Sequence, residues 1–289
     1  MDTEYSKKTD GMDNKRWQEY FPWKYILVAF GFSWIIWLPG ILASKGFFQL
    51  PISYTLLTGI GAFGPLVAAF LLTSVKYGKK GIIELLKRSV SIGFRKIWLI
   101  PALLLMPVLV GSTLVIYILF EGKAGLPEFT LISQPWLIIP LFFLSFFALG
   151  AIQEEFGWRG YALDLMQKKW NALLSSLMLG IIWAIWHLPL FFIQGTMQSK
   201  VPFYIFLLST LGVTVIYTWL YNNTKRSILI VLLFHAMHNT SFNIFPITLL
   251  PSPGKALLYL TGLQLLVAII IVCIWGPSKM TKHELDFKI

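Results

Sequence analysis

The sequence predicts an all-α, polytopic membrane protein, a bundle of about eight transmembrane helices. Of its 289 residues, 56% are hydrophobic and 13% are charged, and the mean hydropathy is +0.70, outside the range of ordinary water-soluble domains. Apolar runs of the length that crosses a hydrocarbon layer, about 20 helical residues for about 30 Å, recur along the whole chain. The connections between these runs alternate between basic and non-basic, as expected of a chain that crosses the membrane repeatedly.

Eight apolar runs are predicted to span the membrane. They are read as helices because they are continuous, whereas barrel strands are short and alternate between apolar and polar residues. The predicted spans are Lys24 to Ala43, Tyr54 to Val75, Ile97 to Phe120, Pro135 to Ile152, Leu173 to Ile193, Phe203 to Tyr221, Ser227 to Ile247 and Ala256 to Trp275. They form one bundle, residues 24–276, between a polar N-terminal tail at 1–23 and a C-terminal tail at 277–289.

The distribution of basic residues predicts the orientation of this bundle. Of the 24 lysines and arginines, 20 lie in the two tails and in the connections on their side. The other side carries Lys45, Lys123, Lys200 and Lys255. Because cytoplasmic loops are enriched in Lys and Arg, we expect a multi-pass protein of the cell membrane with both termini in the cytoplasm. The same pattern accounts for the net charge of +11 without nucleic acid as a partner.

The longest basic connection, YGKKGIIELLKRSVSIGFRK at residues 77–96, has an amphipathic pattern. Its apolar residues lie near one helical face and its lysines and arginines lie elsewhere. This predicts a helix on the cytoplasmic surface, in contact with anionic membrane lipids. A basic connector required only by topology is the alternative.

The most informative residues are ionisable ones at membrane depth, since each costs at least about 2.5–3.5 kcal/mol at the centre of a helix. They occur in three of the eight runs. These are Glu154, Glu155 and Arg159 in QEEFGWRG, His187 in IIWAIWHLPLFF, and His235, His238 and Asn239 in LLFHAMHNTSFN. Taken singly, they are explained by a surface salt bridge, a core histidine bonded to a carbonyl, and a polar contact between helices. Taken together, they are expected to face one another around a shared cavity.

Within the first group, Glu155 and Arg159 are four residues apart with the acid first, which favours an ion pair on a helix. Glu154 points about 100° away from Glu155, so its carboxylate is left free. We therefore assign Glu155 and Arg159 to structural support and Glu154 to chemistry.

The cavity residues together suggest a hydrolase. Glu154 with His187 would take a proton from water, and His235 with Asn239, which share a helical face, would donate to a developing oxyanion. A zinc site of Glu154, His187, His235 and His238 is the alternative. The zinc site is not favoured because there is no H-E-x-x-H motif and no cysteine ligand. A serine hydrolase is not favoured either, because the sequence has no G-x-S-x-G motif.

Three motifs, in this order, resemble the CPBP family of intramembrane endopeptidases, which comprises the type II CAAX prenyl proteases and Abi-like bacterial relatives. They are E-E-x-x-x-R at Glu154 to Arg159, an aromatic residue four before a histidine at Trp183 to His187, and H-x-x-x-N at His235 to Asn239. The resemblance covers about Ile139 to Asn243, the predicted catalytic core. The family usually has Phe where this chain has Trp183. Because we expect this side chain to pack rather than to react, the difference hardly affects the resemblance.

The resemblance implies an eight-helix bundle with a conical cavity open to the cytoplasm, and glutamate-dependent hydrolysis of a peptide bond. By matching positions, Glu154 and His187 would activate water, His235 and Asn239 would stabilise the oxyanion, and Arg159 would support the glutamate pair. Relatives are often called metalloproteases, so the resemblance leaves the metal question open. The expected substrate is a short peptide or protein tail at the cytoplasmic face, either prenylated or a bacteriocin or signal peptide.

Two other classes of function remain open from the sequence. A transporter would also place acid and histidine groups at membrane depth, but inverted repeats are not visible. A non-catalytic immunity or scaffold protein of the same fold would tolerate loss of Glu154.

Overall fold

The computed structural model describes residues 21–122, 134–282 and Glu284, so the predicted N-terminal tail and the end of the C-terminal tail lie outside the described residues. Within the described ranges the chain is helical and contains no strand. The α-helices, numbered in chain order, are α1 Trp23–Ser44, α2 Tyr54–Gly61, α3 Gly64–Ser89, α4 Leu99–Glu121, α5 Ile138–Phe147, α6 Ala151–Gly157, α7 Asp164–Gln167, α8 Ala172–Trp186, α9 Phe203–Asn223, α10 Ile228–Ile244 and α11 Pro253–Trp275.

The all-helical membrane architecture predicted from the sequence is confirmed. In the described part of the chain, six helical stretches are long and apolar enough to cross a membrane. They are Trp23–Ser44, Tyr54–Ser89, Lys96–Glu121, Ala172–Phe192, Phe203–Asn223 and Pro253–Trp275. A bent pair, Pro135–Phe147 with Ala151–Gln167, would be a seventh span, its two parts differing by 41°. The remaining predicted run, Ser227 to Ile247, corresponds to α10, which is apolar but 17 residues long, so the number eight stays a prediction.

The predicted amphipathic segment corresponds to the last part of α3. The helix is interrupted at Gly78, whose φ of 60° and ψ of −156° are not helical and suit a residue without a side chain. Beyond the interruption, Lys79 and Lys80 are exposed while Leu85 is buried against the bundle. The glycine therefore separates the membrane-spanning part of α3 from a short basic helix.

The connections gather at the two ends of the bundle. At one end, the amide N–H of Ala172 donates to the carbonyl of Ser278 at 2.7 Å. At the other, the amide N–H of Gln194 donates to Ser44 Oγ at 3.0 Å. We call the end formed by residues 21–24, 76–98, 167–171, 224–227 and 276–282 the basic face. The end formed by residues 45–53, 193–202 and 245–255 is called the opposite face.

These names reflect the charges that each end carries. Arg159 is buried between the two ends. Of the other described lysines and arginines, fourteen lie at the basic face and three lie at the opposite face. On the opposite face these are Lys45, Lys200 and Lys255. On the basic face they are Lys24, Lys76, Lys79, Lys80, Lys87, Arg88, Arg95, Lys96, Lys168, Lys169, Lys225, Arg226, Lys279 and Lys282. Both ends of the described chain adjoin the basic face.

An ionic cluster at the basic face joins the helices that carry the site. Asp164, at the start of α7, lies 2.9 Å from Arg88 of α3 and accepts a 2.9 Å hydrogen bond from Arg226 Nε. Because Asp164 follows α6 by one turn of π-helix, Trp158–Leu163, this cluster fixes the end of the segment that begins with the two glutamates.

Candidate active site

A cavity of about 740 Å³ lies between α2, α6, α8, α9 and α10. The four residues predicted to be catalytic, Glu154, His187, His235 and Asn239, all line it. Glu154 lies in α6, His187 directly follows α8, and His235 and Asn239 lie in α10. These three places are more than 30 residues apart in the sequence, and the fold brings them to one cavity.

A break in the chain shapes the floor of this cavity. Helix α5 ends at Phe147 and α6 begins at Ala151, with Gly150 between them at a φ of 115°, a conformation that favours glycine. The Gln153 side chain spans the break, accepting from the Gly150 amide N–H and donating to the Ala148 carbonyl at 3.0 Å. The sequence analysis did not single out Gly150, although a glycine directly before a polar QEE within an apolar run is a signal of a helix break.

Three of the predicted groups surround a single point above Gly150. A β-carbon placed on this residue would lie 3.0 Å from Glu154 Oε1, 3.0 Å from His235 Nε2 and 3.3 Å from Asn239 Nδ2. The absence of a side chain at Gly150 therefore leaves a small space that a carboxylate, an imidazole and an amide all face. A reacting atom placed there would be within reach of all three.

The carboxylate of Glu154 is held by indoles. Its Oε2 accepts hydrogen bonds from Trp183 Nε1 at 2.6 Å and from Trp158 Nε1 at 3.3 Å. The expectation of a wholly free carboxylate therefore needs correction: one oxygen is fixed and the other, Oε1, faces the space above Gly150. Fixing one oxygen in this way orients the other.

Glu155 and Arg159 form the ion pair expected from their spacing, at 2.8 Å, with both side chains fully buried rather than at the surface. The arginine guanidinium also lies over the ring of Tyr217 at 3.8 Å and that of Trp183 at 4.8 Å. Two aromatic faces and a carboxylate thus surround this buried cation.

The same carboxylate oxygen of Glu155 lies 2.7 Å from His235 Nδ1. Since an ionised carboxylate only accepts, Nδ1 carries the proton and Nε2 faces the space above Gly150. Two carboxylates and one guanidinium leave one negative charge in the buried cluster. A single proton, on His235 Nε2 or on Glu154, neutralises it.

His187 follows α8 and is positioned through the backbone. Its Nδ1 lies 2.8 Å from the Trp183 carbonyl oxygen, and its ring packs against Trp186 at 4.7 Å and Phe206 at 5.2 Å between centroids. Trp183 therefore connects the two predicted partners, since its indole N–H binds Glu154 and its carbonyl binds His187. The prediction that Trp183 only packs is wrong, because a phenylalanine could not make the first of these bonds.

We expect Trp183→Phe to lower kcat for peptide hydrolysis by about 10- to 100-fold with little change in KM, because a hydrogen bond to a charged group contributes about 1.5–3 kcal/mol. The matched control is Trp186→Phe, also a buried cavity residue, whose indole N–H donates to Ser33 Oγ at 2.8 Å rather than to the glutamate. Equal loss of kcat in the two variants would show that Trp183 acts only through packing.

A zinc site, the alternative that the sequence left open, needs three or more ligands grouped around one point. Among the described residues, no three His, Cys, Asp or Glu side chains are grouped so that they could hold one ion. The Nδ1 atoms of His187 and His235 bind the Trp183 carbonyl and the Glu155 carboxylate, an arrangement that leaves each Nε2 for a proton or a ligand, and His238, weighed as a ligand from the sequence, lines the cavity wall. No step of the mechanism below is routed through a metal.

The cavity opens at the opposite face. Its outer part is lined by residues 53–55, at the start of α2, and by residues 194–198, which belong to a connection at that end. A cytoplasm-facing cavity and cytoplasmic termini were both expected, yet the described residues next to the termini lie at the basic face. With cytoplasmic termini, a cavity that opens at the opposite face would open away from the cytoplasm, and both expectations stay predictions.

Comparison with known proteins points to one family. A family profile described as "Type II CAAX prenyl endopeptidase Rce1-like" matches residues 135–241, which include all four predicted catalytic residues. The chain is 28% identical over 238 residues to the "CAAX prenyl protease 2" of Methanococcus maripaludis, an alignment covering 80% of this chain and 87% of that protein.

Proposed function

We propose that the chain, which is similar to the type II CAAX prenyl endopeptidases, is a peptide hydrolase of the membrane, and that Glu154, His187, His235 and Asn239 carry out the hydrolysis. The observation that carries the proposal is the convergence of Glu154 Oε1, His235 Nε2 and Asn239 Nδ2 on the space above Gly150. A base and two hydrogen-bond donors around one point match what hydrolysis of an amide requires.

In the proposed reaction, Glu154 Oε1, assisted by His187, takes a proton from a water molecule as the water oxygen attacks the peptide carbonyl carbon. The carbonyl oxygen becomes an oxyanion, to which the protonated Nε2 of His235 and the Nδ2 amide of Asn239 donate. When the C–N bond breaks, Glu154 returns the proton to the leaving amine. One water proton thus moves to the amine and the other stays on the new acyl oxygen, so the products are a carboxylic acid, which ionises in water, and an amine.

Each donor is supported by a neighbour that would keep it in place. Glu155 would accept the Nδ1–H of His235 and so orient the ring with Nε2 toward the oxyanion. The amide of Asn239 donates one N–H to the Leu149 carbonyl at 2.5 Å, which orients the group and leaves its second N–H for the oxyanion. Leu149 belongs to the break before α6, so the same break orients this donor and opens the space that it faces.

We place the protein in the cell membrane with both termini in the cytoplasm, on the basis of the charge of the basic face. The substrate would be a peptide or protein tail close to the membrane. The name of the Methanococcus relative makes a prenylated tail one candidate, and a bacteriocin or signal peptide is the other.

We expect Asn239→Ala to lower kcat by about 10²–10³-fold, the usual effect of removing one oxyanion donor. The control is Asn243→Ala, one turn further along α10, where the side chain is exposed and lies outside the cavity lining. The measurement is hydrolysis of a fluorogenic peptide library that includes prenylated tails, by the purified protein in detergent. A full rate in Asn239→Ala would remove this residue from the mechanism.

The same assay separates the alternatives. Hydrolysis that is unaffected by a chelator supports the metal-free mechanism, whereas loss with a chelator and recovery with zinc would give His187 and His235 the role of ligands. No hydrolysis of any peptide by folded wild-type protein would favour the non-catalytic immunity or scaffold function.

A further inference from the structure

We propose that the cavity opens to the extracytoplasmic side of the membrane and that its substrate is an uncharged peptide segment exposed on that side. The inference about the substrate rests on the proposed function. The inference about the side does not, because it follows from the position of the opening and from the distribution of charge.

The position of the opening follows from the course of the chain. Ser53 directly precedes α2, Tyr54 and Thr55 lie in its first turn, and residues 194–198 follow α8; both stretches line the cavity. Ser44, at the end of α1, binds Gln194 through its hydroxyl group, so the connections after α1 and after α8 meet at one end. From there the cavity extends to Glu154, which lies in α6 just after the break at Gly150.

The distribution of charge assigns that end to the outside. Fourteen described lysines and arginines lie at the basic face, against three at the opposite face. Connections with many basic residues remain in the cytoplasm during insertion, and those with few are translocated. Turning the bundle over to direct the cavity to the cytoplasm would place the exposed Lys79, Lys80 and Lys168 outside, against this bias.

The lining of the cavity indicates the chemistry of the segment. Of the residues that line it, Glu154 alone carries a formal charge, apart from the histidines, and this carboxylate is already bound by two indoles. The outer wall consists of hydroxyl, amide and apolar side chains, among them Thr55, Thr196 and Gln198. A charged side chain would lose its hydration there without gaining a counter-charge, so the cavity suits apolar and hydroxyl-bearing residues.

The side is tested with single cysteines in full-length protein in which the native, exposed Cys273 is replaced by alanine. Thr55→Cys and Gln198→Cys report on the cavity, and Lys80→Cys and Lys168→Cys report on the basic face. Intact cells are treated with a membrane-impermeant maleimide, before or after permeabilisation. We expect the two cavity positions to react in intact cells and the two basic-face positions to react only after permeabilisation. The reverse pattern would overturn the proposal.

The substrate is tested with membrane-impermeant fluorogenic peptides added outside intact cells. One set has only apolar and hydroxyl-bearing residues around the scissile bond, and a matched set has lysine or glutamate there. We expect cleavage of the uncharged set at least about tenfold faster, the factor that corresponds to a desolvation difference of about 1.4 kcal/mol, and loss of cleavage in Glu154→Gln. Equal cleavage of both sets would overturn the substrate class.

The two experiments fail in different ways. If the cavity cysteines are labelled from outside but purified protein in detergent cleaves no peptide, the assigned side stands and the proposed function is wrong. If the detergent assay shows cleavage but the cavity cysteines are labelled only after permeabilisation, the proposed function stands and the substrate must come from the cytoplasm.

Discussion

Glu154→Gln is expected to lower kcat for peptide hydrolysis by about 10²–10⁴-fold, the range for loss of a general base. The amide keeps the size of the side chain, and its oxygen can still accept the 2.6 Å hydrogen bond from Trp183 Nε1, so the fold should be retained. What the amide cannot do is accept a proton from water. The measurement is kcat in detergent on the peptides that the wild type cleaves, with unfolding temperature recorded in parallel.

Glu84→Gln is the matched control for this variant, because Glu84 lies in the basic helix at the surface, 3.9 Å from Lys87 and far from the cavity in the chain's course. It makes the same chemical change without touching the site, so its kcat should equal that of the wild type. An unchanged kcat in Glu154→Gln would remove this carboxylate from the chemistry and leave His187 or His235 as the base.

Arg159→Met is expected to destabilise the protein by about 3–5 kcal/mol, because it leaves the carboxylate of Glu155 buried without its cation. Methionine occupies a similar volume between the rings of Tyr217 and Trp183, so a cavity contributes little to the loss. The measurement is the free energy of unfolding in detergent. For comparison, Lys87→Met removes an exposed partner from the surface pair with Glu84, and we expect at most about 1 kcal/mol from that change.

The double variant Glu155→Gln/Arg159→Met separates electrostatics from shape. Removing both charges should recover much of the stability, because neither is left unpaired, and the double-mutant cycle should give a coupling energy of at least about 1 kcal/mol. Activity should stay low, since Glu155 also orients His235. Equal destabilisation in the single and double variants would show that the guanidinium acts through its aromatic contacts alone.

The helical architecture could be predicted from the sequence because crossing a hydrocarbon layer requires continuous apolar runs, which are visible without knowledge of their packing. The Glu155–Arg159 pair could be predicted for a similar reason, since residues four apart on a helix are neighbours whatever surrounds them. Both predictions depend on local geometry.

The remaining features of the site depend on contacts between distant parts of the chain. The bond from Trp183 to Glu154 joins α8 to α6, and the bond from Glu155 to His235 joins α6 to α10. No spacing of residues in the sequence predicts either bond. The side on which the cavity opens stays a prediction, because it depends on the depth of the break between α5 and α6, at Gly150, and on which connections lie over that point.

The order of these contacts along the chain matters for how the protein is made. Helix α6 is synthesised before α8, α9 and α10, so at about 5–20 residues per second several seconds pass before His235 exists. During that interval, α6 and the π-helical turn after it must enter the bilayer with Glu154, Glu155 and Arg159. Because Arg159 lies one turn after Glu155, the helix brings its own counter-ion, and only the charge of Glu154 needs a proton. The segment is thereby suited to insertion on its own, and His235 later docks onto a carboxylate that is already in place.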